Sequence, residues 1–126
     1  MSYVLLDAVL VEVIHDNVLN PGELQGMAGN KSLEGALARV DNRLVYGMVG
    51  DIFDLAAAYA VAVATGHVFN DANKRTAYRC MLACIDLNGH AISHDTVEAG
   101  DIIREVAQRK MDEEDLAAWL RRKAVE

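Results

Sequence analysis

Proline is nearly missing from this chain of 126 residues: Pro21 is the sole one. With so few breakers and so much Ala, Val and Leu, the backbone has little to interrupt helices, and the chain is expected to be mostly helical. Cysteine is scarce too. Cys80 and Cys84 stand four residues apart inside a predicted helix, where a disulfide would close almost no loop and would strain the backbone. They read as small buried hydrophobes in a reduced, cytoplasmic protein. Positive charge is in deficit, with 12 Lys and Arg against 19 Asp and Glu and a net charge of −7. That argues against direct nucleic-acid binding and against a membrane-surface role, both of which usually need a basic face. No apolar run reaches the roughly 18 residues of a membrane span. The N-terminal "MSYVLLDAVLVEV" is apolar, but Asp7 and Glu12 interrupt it and no basic leader precedes it, so it is expected to be a core helix rather than a signal peptide. Internal repeats, low-complexity tracts and linkers are also absent.

The hydrophobic fraction is 52%, which excludes disorder, and the length suits one domain spanning residues 1–126 with one hydrophobic core. Helical periodicity predicts the elements. The first helix runs from about Tyr3 to Asn17 with Leu6, Val9, Leu10, Val13 and Ile14 on the buried side. "NPGELQGMAGNK", Asn20 to Lys31, is a Gly-rich loop long enough to suggest either a functional role or a plain mobile connection. Ser32 caps a helix carrying Leu33, Leu37, Val40, Leu44 and Met48 inward. Asp51 caps "DIFDLAAAYAVAVATG", apolar nearly all round and therefore expected at the centre, with Gly66 as its C-terminal cap. A further helix starts near Ala72 or Asn73 and ends at Gly89, with Ala77, Cys80, Met81, Cys84 and Leu87 inward. "GHAIS" is a turn or short extended piece. Asp95 with Glu98 resembles a capping box for a helix to about Lys110, and Asp112 caps a last helix bearing Leu116, Trp119 and Leu120. The expected fold class is all-α, a single compact bundle of five to six helices.

The chemistry concentrates in "HVFNDANKR", His67 to Arg75. It reads as a loop running into a helix start, capped by Asp71 or a neighbour. The unpartnered N–H groups of such a start form an anion site. Lys74 and Arg75 put two cations at the end of the helix that disfavours them, a repulsion that asks for compensation. Asn73, Lys74 and Arg75 are candidate phosphate-holding residues, and the small Ala72 lets a phosphate approach the backbone. His67 is suited to accept a proton at neutral pH, and Asp71 offers hard oxygen for Mg²⁺ when phosphates complete the coordination. Phe69 is expected to point inward as an anchor. A base, a metal carboxylate and a phosphate cradle within nine residues describe phosphoryl or nucleotidyl transfer. Cys80, Cys84, His90 and His94 have no tight zinc-ligand spacing. Trp119 and Leu120 are read as packing for the last helix.

The same stretch resembles the signature of the Fic/Doc family, H-P-F-x-[DE]-G-N-G-R-x-x-R, with His67, Phe69, Asp71, Asn73 and Arg75 in the matching places. "IHD" at Ile14–Asp16, "GMAG", "ALARV" and "DIFDLAAAYAVA" are similar to segments of its Doc-type branch, the toxins of plasmid-addiction modules, and the resemblance covers most of the chain. It departs from the general pattern at Val68, Ala72, Lys74 and Tyr78. Tyr78 replaces a second Arg, and Arg79, one step on and about 100° round the helix, does not substitute for it. Doc-type members share these departures, which implies that ATP lies in the opposite sense to that of the adenylylating members and presents its γ-phosphate. The resemblance thus implies a Fic/Doc-like fold and a protein kinase acting on a hydroxyl of translation elongation factor Tu. His67 would act as base, Asp71 would hold Mg²⁺, and Asn73, Lys74 and Arg75 would hold ATP phosphates. The alternatives are an AMP transferase of the Fic type and an interaction module that no longer turns over. Thr65 stands where the type member of the Doc branch carries an Arg, a departure that favours the last. No segment matches the [ST]-x-x-x-E-[GN] helix by which some members inhibit themselves. The implied partner is therefore a separate antitoxin, whose C-terminal helix would lie in a groove on this chain.

Overall fold

The computed structural model describes residues 2–29 and 31–125; Asn30, in the long loop flagged above, lies outside the described residues. Six helices account for most of the chain: α1 (Ala8–Val18), α2 (Leu33–Val45), α3 (Ile52–Gly66), α4 (Asn73–Leu87), α5 (Thr96–Ala107) and α6 (Glu113–Arg122). Two-residue strands, β1 (Ala91–Ile92) and β2 (Ala124–Val125), pair antiparallel and tie the C-terminal end to the α4–α5 connection. This is the all-α bundle that the composition predicts.

The apolar α3 occupies the centre and packs against α4, α6, α2 and α5. Eleven of its fifteen residues are buried, many of them Ala, and these small side chains let four helices approach it. One cluster of buried apolar side chains runs through all six helices, with Tyr59 the largest fully enclosed member. The Tyr59 hydroxyl is satisfied by the backbone N–H of Leu6 at 3.0 Å, so its burial strands no polar atom; that burial raises its pKa to about 12. Cys80 and Cys84 are buried free thiols, and burial pushes both up to about 12, which removes thiolate reactivity.

The caps at Ser32, Asp51 and Asp112 stand as expected, each accepting a backbone N–H three residues on. Several other expectations are corrected. α1 begins after Asp7, whose carboxylate caps it, while the described residues before it are not helical, with Val4 bonded to Asn88 and Leu6 to Tyr59. Its buried face carries Val11 and His15, whereas Val9 and Val13 are exposed. A polar residue on the inner face shifted the phase that apolar periodicity suggested. α2 stops at Val45, so Met48 falls beyond it and is exposed, and Leu87 at the end of α4 is exposed too. Gly66 is the last residue of α3, and the left-handed cap is His67. The capping box is not formed: Asp95 caps Val97, but Glu98 accepts the Trp119 indole N–H at 2.8 Å and pairs with Lys123. Among the described residues no helix is long and apolar enough to cross a membrane.

Candidate functional site

The loop from His67 to Ala72 is built by residues far away in sequence. His67 leaves α3 in a left-handed conformation, φ 49°, with its side chain exposed. Val68 and Phe69 are buried, and the Phe69 ring stacks face to face on His15 of α1, 3.8 Å between centroids and 8° from parallel. Phe69 is thus the inward anchor expected of it. The long Asn20–Lys31 loop pairs with this segment: the Ala28 N–H donates to the Val68 carbonyl at 2.7 Å and the Asn70 N–H to Gly26 at 3.2 Å. Gly26 supports this register with φ 85°, a conformation open to glycine at little cost. The Asn70 amide also donates to the Gln25 carbonyl at 3.2 Å. These contacts tie the described part of the long loop to the segment that leads into α4.

The start of α4 departs from the other five helices. Asp7, Ser32, Asp51, Asp95 and Asp112 each cap their helix with a side-chain oxygen, but α4 begins at Ala72, which is left-handed (φ 66°) and provides no side-chain cap. Asp71 or a neighbour was expected to cap it, and no side chain does. The Asp71 Oδ2 accepts the Leu24 backbone N–H at 2.8 Å, and its carbonyl accepts from His15 Nε2 at 2.8 Å. The leading N–H groups of α4 are therefore left for a partner outside the helix.

The three residues expected to hold phosphates are placed differently from one another. The Asn73 amide closes a ring with Phe69: its Oδ1 accepts the Phe69 N–H at 3.1 Å and its Nδ2 donates to the Phe69 carbonyl at 3.0 Å. Its side chain thus holds the loop, and toward an anion it offers its backbone N–H. Arg75 donates to the Val18 carbonyl at 2.5 Å and forms an ion pair with Glu23. The hydrogen bond to Arg75 holds the Glu23 carboxyl below its ordinary range, and the same contact raises the guanidinium. Lys74 is exposed and makes no ion pair among the described residues.

These residues line an open cleft of ≈540 Å³. His67, Asp71, Lys74, Arg75 and Tyr78 line it, and α5 supplies further wall through Thr96, Gly100 and Arg104. The α5 wall, Glu23 and His15 were not singled out from the sequence. Glu23 lies in the flagged loop and His15 in the "IHD" segment, but neither position carries a local sign of its partner. Among the described residues no three His, Cys, Asp or Glu side chains gather as a metal cage. The cleft's donor set, a carboxylate beside helix N–H groups and cations, suits Mg²⁺ only when phosphate oxygens complete its shell. The other histidines are engaged separately: His94 Nε2 lies 2.8 Å from the Tyr78 hydroxyl, and His90 packs edge-on to Phe53.

Residues 5–85 match the model of the Fic/DOC family. The chain belongs to that family. It is 37% identical over 110 residues to "Protein kinase doc" of Escherichia phage P1, covering 86% of each chain. It is 36% identical over 92 residues to "Toxin Doc" of Mycolicibacterium smegmatis, covering 70% of each.

Family membership gives the departures from the general Fic pattern a physical meaning. The first pattern Gly falls on Ala72, whose φ of 66° is the kind a glycine adopts without strain; the alanine holds the same conformation at a cost. The second pattern Arg falls on Tyr78, which lines the cleft, whereas Arg79 lies outside it, over a separate depression between α1 and α4. The 100° step does separate them. Thr65 is buried with its hydroxyl bonded to the Val61 carbonyl at 2.6 Å, and it does not line the cleft.

Proposed function

We propose that this member of the Fic/DOC family is a Doc-type toxin, the partner of a separate antitoxin, and a kinase that transfers the γ-phosphoryl group of ATP to a hydroxyl of a protein. The substrate carried over from the family resemblance is translation elongation factor Tu, and arrest of translation is the outcome. The names of two relatives support the class of activity. The observation that carries it here is the uncapped start of α4, opening on a cleft that also presents His67, Asp71 and Lys74.

In this reading the α4 N–H groups and Lys74 bind the phosphate chain, and Arg75 adds field from the side where Glu23 fixes it. Asp71 would hold Mg²⁺, which when bound would neutralise charge at the phosphate oxygens. The acceptor oxygen forms a bond to the γ-phosphorus while the bond from that phosphorus to the β–γ bridging oxygen breaks. ADP leaves with that electron pair, and the hydroxyl proton passes to the His67 imidazole. Tyr78 in the cleft supplies no charge for a phosphate where AMP-transferring members carry an Arg, which weighs against AMP transfer. Inhibition is expected from an antitoxin helix in a groove, and the site of action is the cytoplasm.

The test uses elongation factor Tu with ATP labelled either at the γ- or at the α-phosphate, for the parent chain, His67→Ala and Asp71→Asn. Label from the γ position alone, lost in both variants, is the expected result. Label from the α position means AMP transfer. No labelling by the parent with nucleotide binding intact means an interaction module. Growth arrest on expression, compared with His67→Ala, checks the same assignment in cells.

A further inference from the structure

His15 is one of three polar or charged residues buried among the described positions, at 1% exposure, and the phosphoryl-transfer scheme does not use it. We infer that His15 is a positioning residue for the reaction: from beneath the loop it fixes the Asp71–Ala72 peptide, and with it the metal carboxylate and the first amide of the anion site. The inference rests on the reading of Asp71 as the Mg²⁺ carboxylate.

Three contacts carry it. The His15 ring lies flat on Phe69 at 3.8 Å. Its Nε2 is 2.8 Å from the Asp71 carbonyl oxygen, which only accepts, so Nε2 carries the hydrogen. Its Nδ1 is 3.5 Å from the exposed Asp16 carboxylate, a contact that becomes an ion pair only when both ring nitrogens carry a hydrogen. A side chain that merely filled space there could be Phe or Leu. An imidazole costs desolvation in that position unless its hydrogen bond is used.

That bond has a geometric consequence. In a trans peptide the C=O and N–H point in opposite directions. Drawing the Asp71 carbonyl toward the buried ring of α1 therefore turns the Ala72 N–H away from His15, where the uncapped end of α4 meets the cleft. The Asp71 carboxylate is meanwhile oriented through Oδ2 by the Leu24 N–H. His15 sets the main chain and Leu24 the side chain of one residue. Partners at this remove from a metal typically change its affinity by ten- to a hundredfold when lost.

The experiment measures affinity for ATP–Mg²⁺ by calorimetry on the whole chain, well below each variant's melting temperature. His15→Phe keeps a stacking ring and removes the donor; His15→Gln keeps an N–H donor and removes the ring. The expected result is an affinity on the order of tenfold weaker for His15→Phe, largely restored in His15→Gln. A lower melting temperature with unchanged affinity in His15→Phe overturns the inference and leaves His15 a packing residue. Failure of Gln to restore affinity also overturns it. Unchanged affinity in Asp71→Asn identifies a different failure, that of the Asp71 reading itself. A measurement on the parent chain does not depend on any variant folding. The imidazole ¹⁵N spectrum should show Nε2 protonated, with a signal that moves when ATP–Mg²⁺ is added. A deprotonated Nε2, or a signal that does not move, refutes the proposal.

Discussion

Removing the Asn73 side chain should damage the protein before any nucleotide is present. If the amide served only as a phosphate donor, Asn73→Ala would leave the melting temperature of the free chain unchanged. In the structure the amide instead makes both hydrogen bonds of a ring with the Phe69 backbone, at 3.1 and 3.0 Å. Phe69 is 3% exposed, so water does not readily replace them. Each backbone group left without a partner costs roughly 1–3 kcal/mol. Two such groups, allowing for partial relaxation, give about 2–4 kcal/mol. For 126 residues the unfolding entropy is about 0.26 kcal/mol per kelvin, so the melting temperature should fall by roughly 8–15 °C. Asn73→Asp retains the acceptor for the Phe69 N–H and places a negative charge at the start of α4, so it should lose about half as much. The assay is scanning calorimetry in buffer free of phosphate, sulfate and nucleotide. A fall of less than about 2 °C for Asn73→Ala would refute the loop-holding role and return the amide to the anion site.

Three further changes test the same region. Ala72→Gly should stabilise by about 1 kcal/mol, because Ala72 holds φ 66° at a cost glycine does not bear; a lower denaturation midpoint contradicts this. Lys74→Gln should stabilise the ligand-free chain by roughly 0.3–1 kcal/mol by removing a cation from the positive end of α4. It should also reduce the rise in melting temperature that sulfate or ATP–Mg²⁺ produces, and an undiminished rise counts against Lys74 as an anion-binding residue. Glu23→Gln should flatten the acid limb of the stability curve. The Glu23 carboxyl is held below its ordinary value of 4.5 by Arg75, so its contribution is present above pH 4.5 and is lost as pH falls through the lower folded value. Melting curves from pH 6 downward that run parallel for parent and Glu23→Gln refute that coupling.

The contrast between Ser32 and Asp71 shows which features a sequence can disclose. Both are cap-type residues just before a helical pattern. Ser32 meets the N–H of Gly35, three residues on, and local spacing is enough to find it. Asp71 meets the N–H of Leu24, 47 residues back, and nothing near either residue signals the other. The same distinction runs through the fold. α3 was legible as the central helix because its own composition makes it apolar all round. The inner face of the first helix was read only in part: Leu6, just before α1, and Leu10 and Ile14 do face the core, but His15 was missed because it counts as polar, and its burial goes with a stack on Phe69 across the chain. Glu98 fits the spacing of a capping box, yet Trp119 and Lys123 of the last helical segment compete for its carboxylate more directly than the backbone N–H it was assigned. Of the cleft residues, His67, Asp71 and Lys74 could be named because their residue types, close together in one short motif, suit phosphoryl transfer. Glu23, His15 and the α5 wall could not, since each matters through what it touches.

The two cations at the start of α4 therefore have different explanations. Arg75 is compensated inside the protein: Glu23 and the Val18 carbonyl occupy its guanidinium, so its charge is fixed in place and partly balanced when the chain stands alone. Lys74 has no such partner among the described residues. Its helix has no acidic residue in the first turn and no side-chain cap, whereas α6 has three acidic residues there and an Asp cap. Asp71, the nearest carboxylate that could have capped α4, is instead turned toward the long loop by Leu24. A chain able to satisfy five helix starts with Asp or Ser thus leaves the sixth open, adds a lysine, and holds the neighbouring carboxylate aside. Each of these choices raises the energy of the ligand-free site, and one anion bridging the open N–H groups and Lys74 would relieve them all. Hence the electrostatic cost at α4 and the affinity for phosphate should change together: a substitution that removes the Lys74 charge or caps this helix start without ligand should weaken nucleotide binding by a comparable free energy.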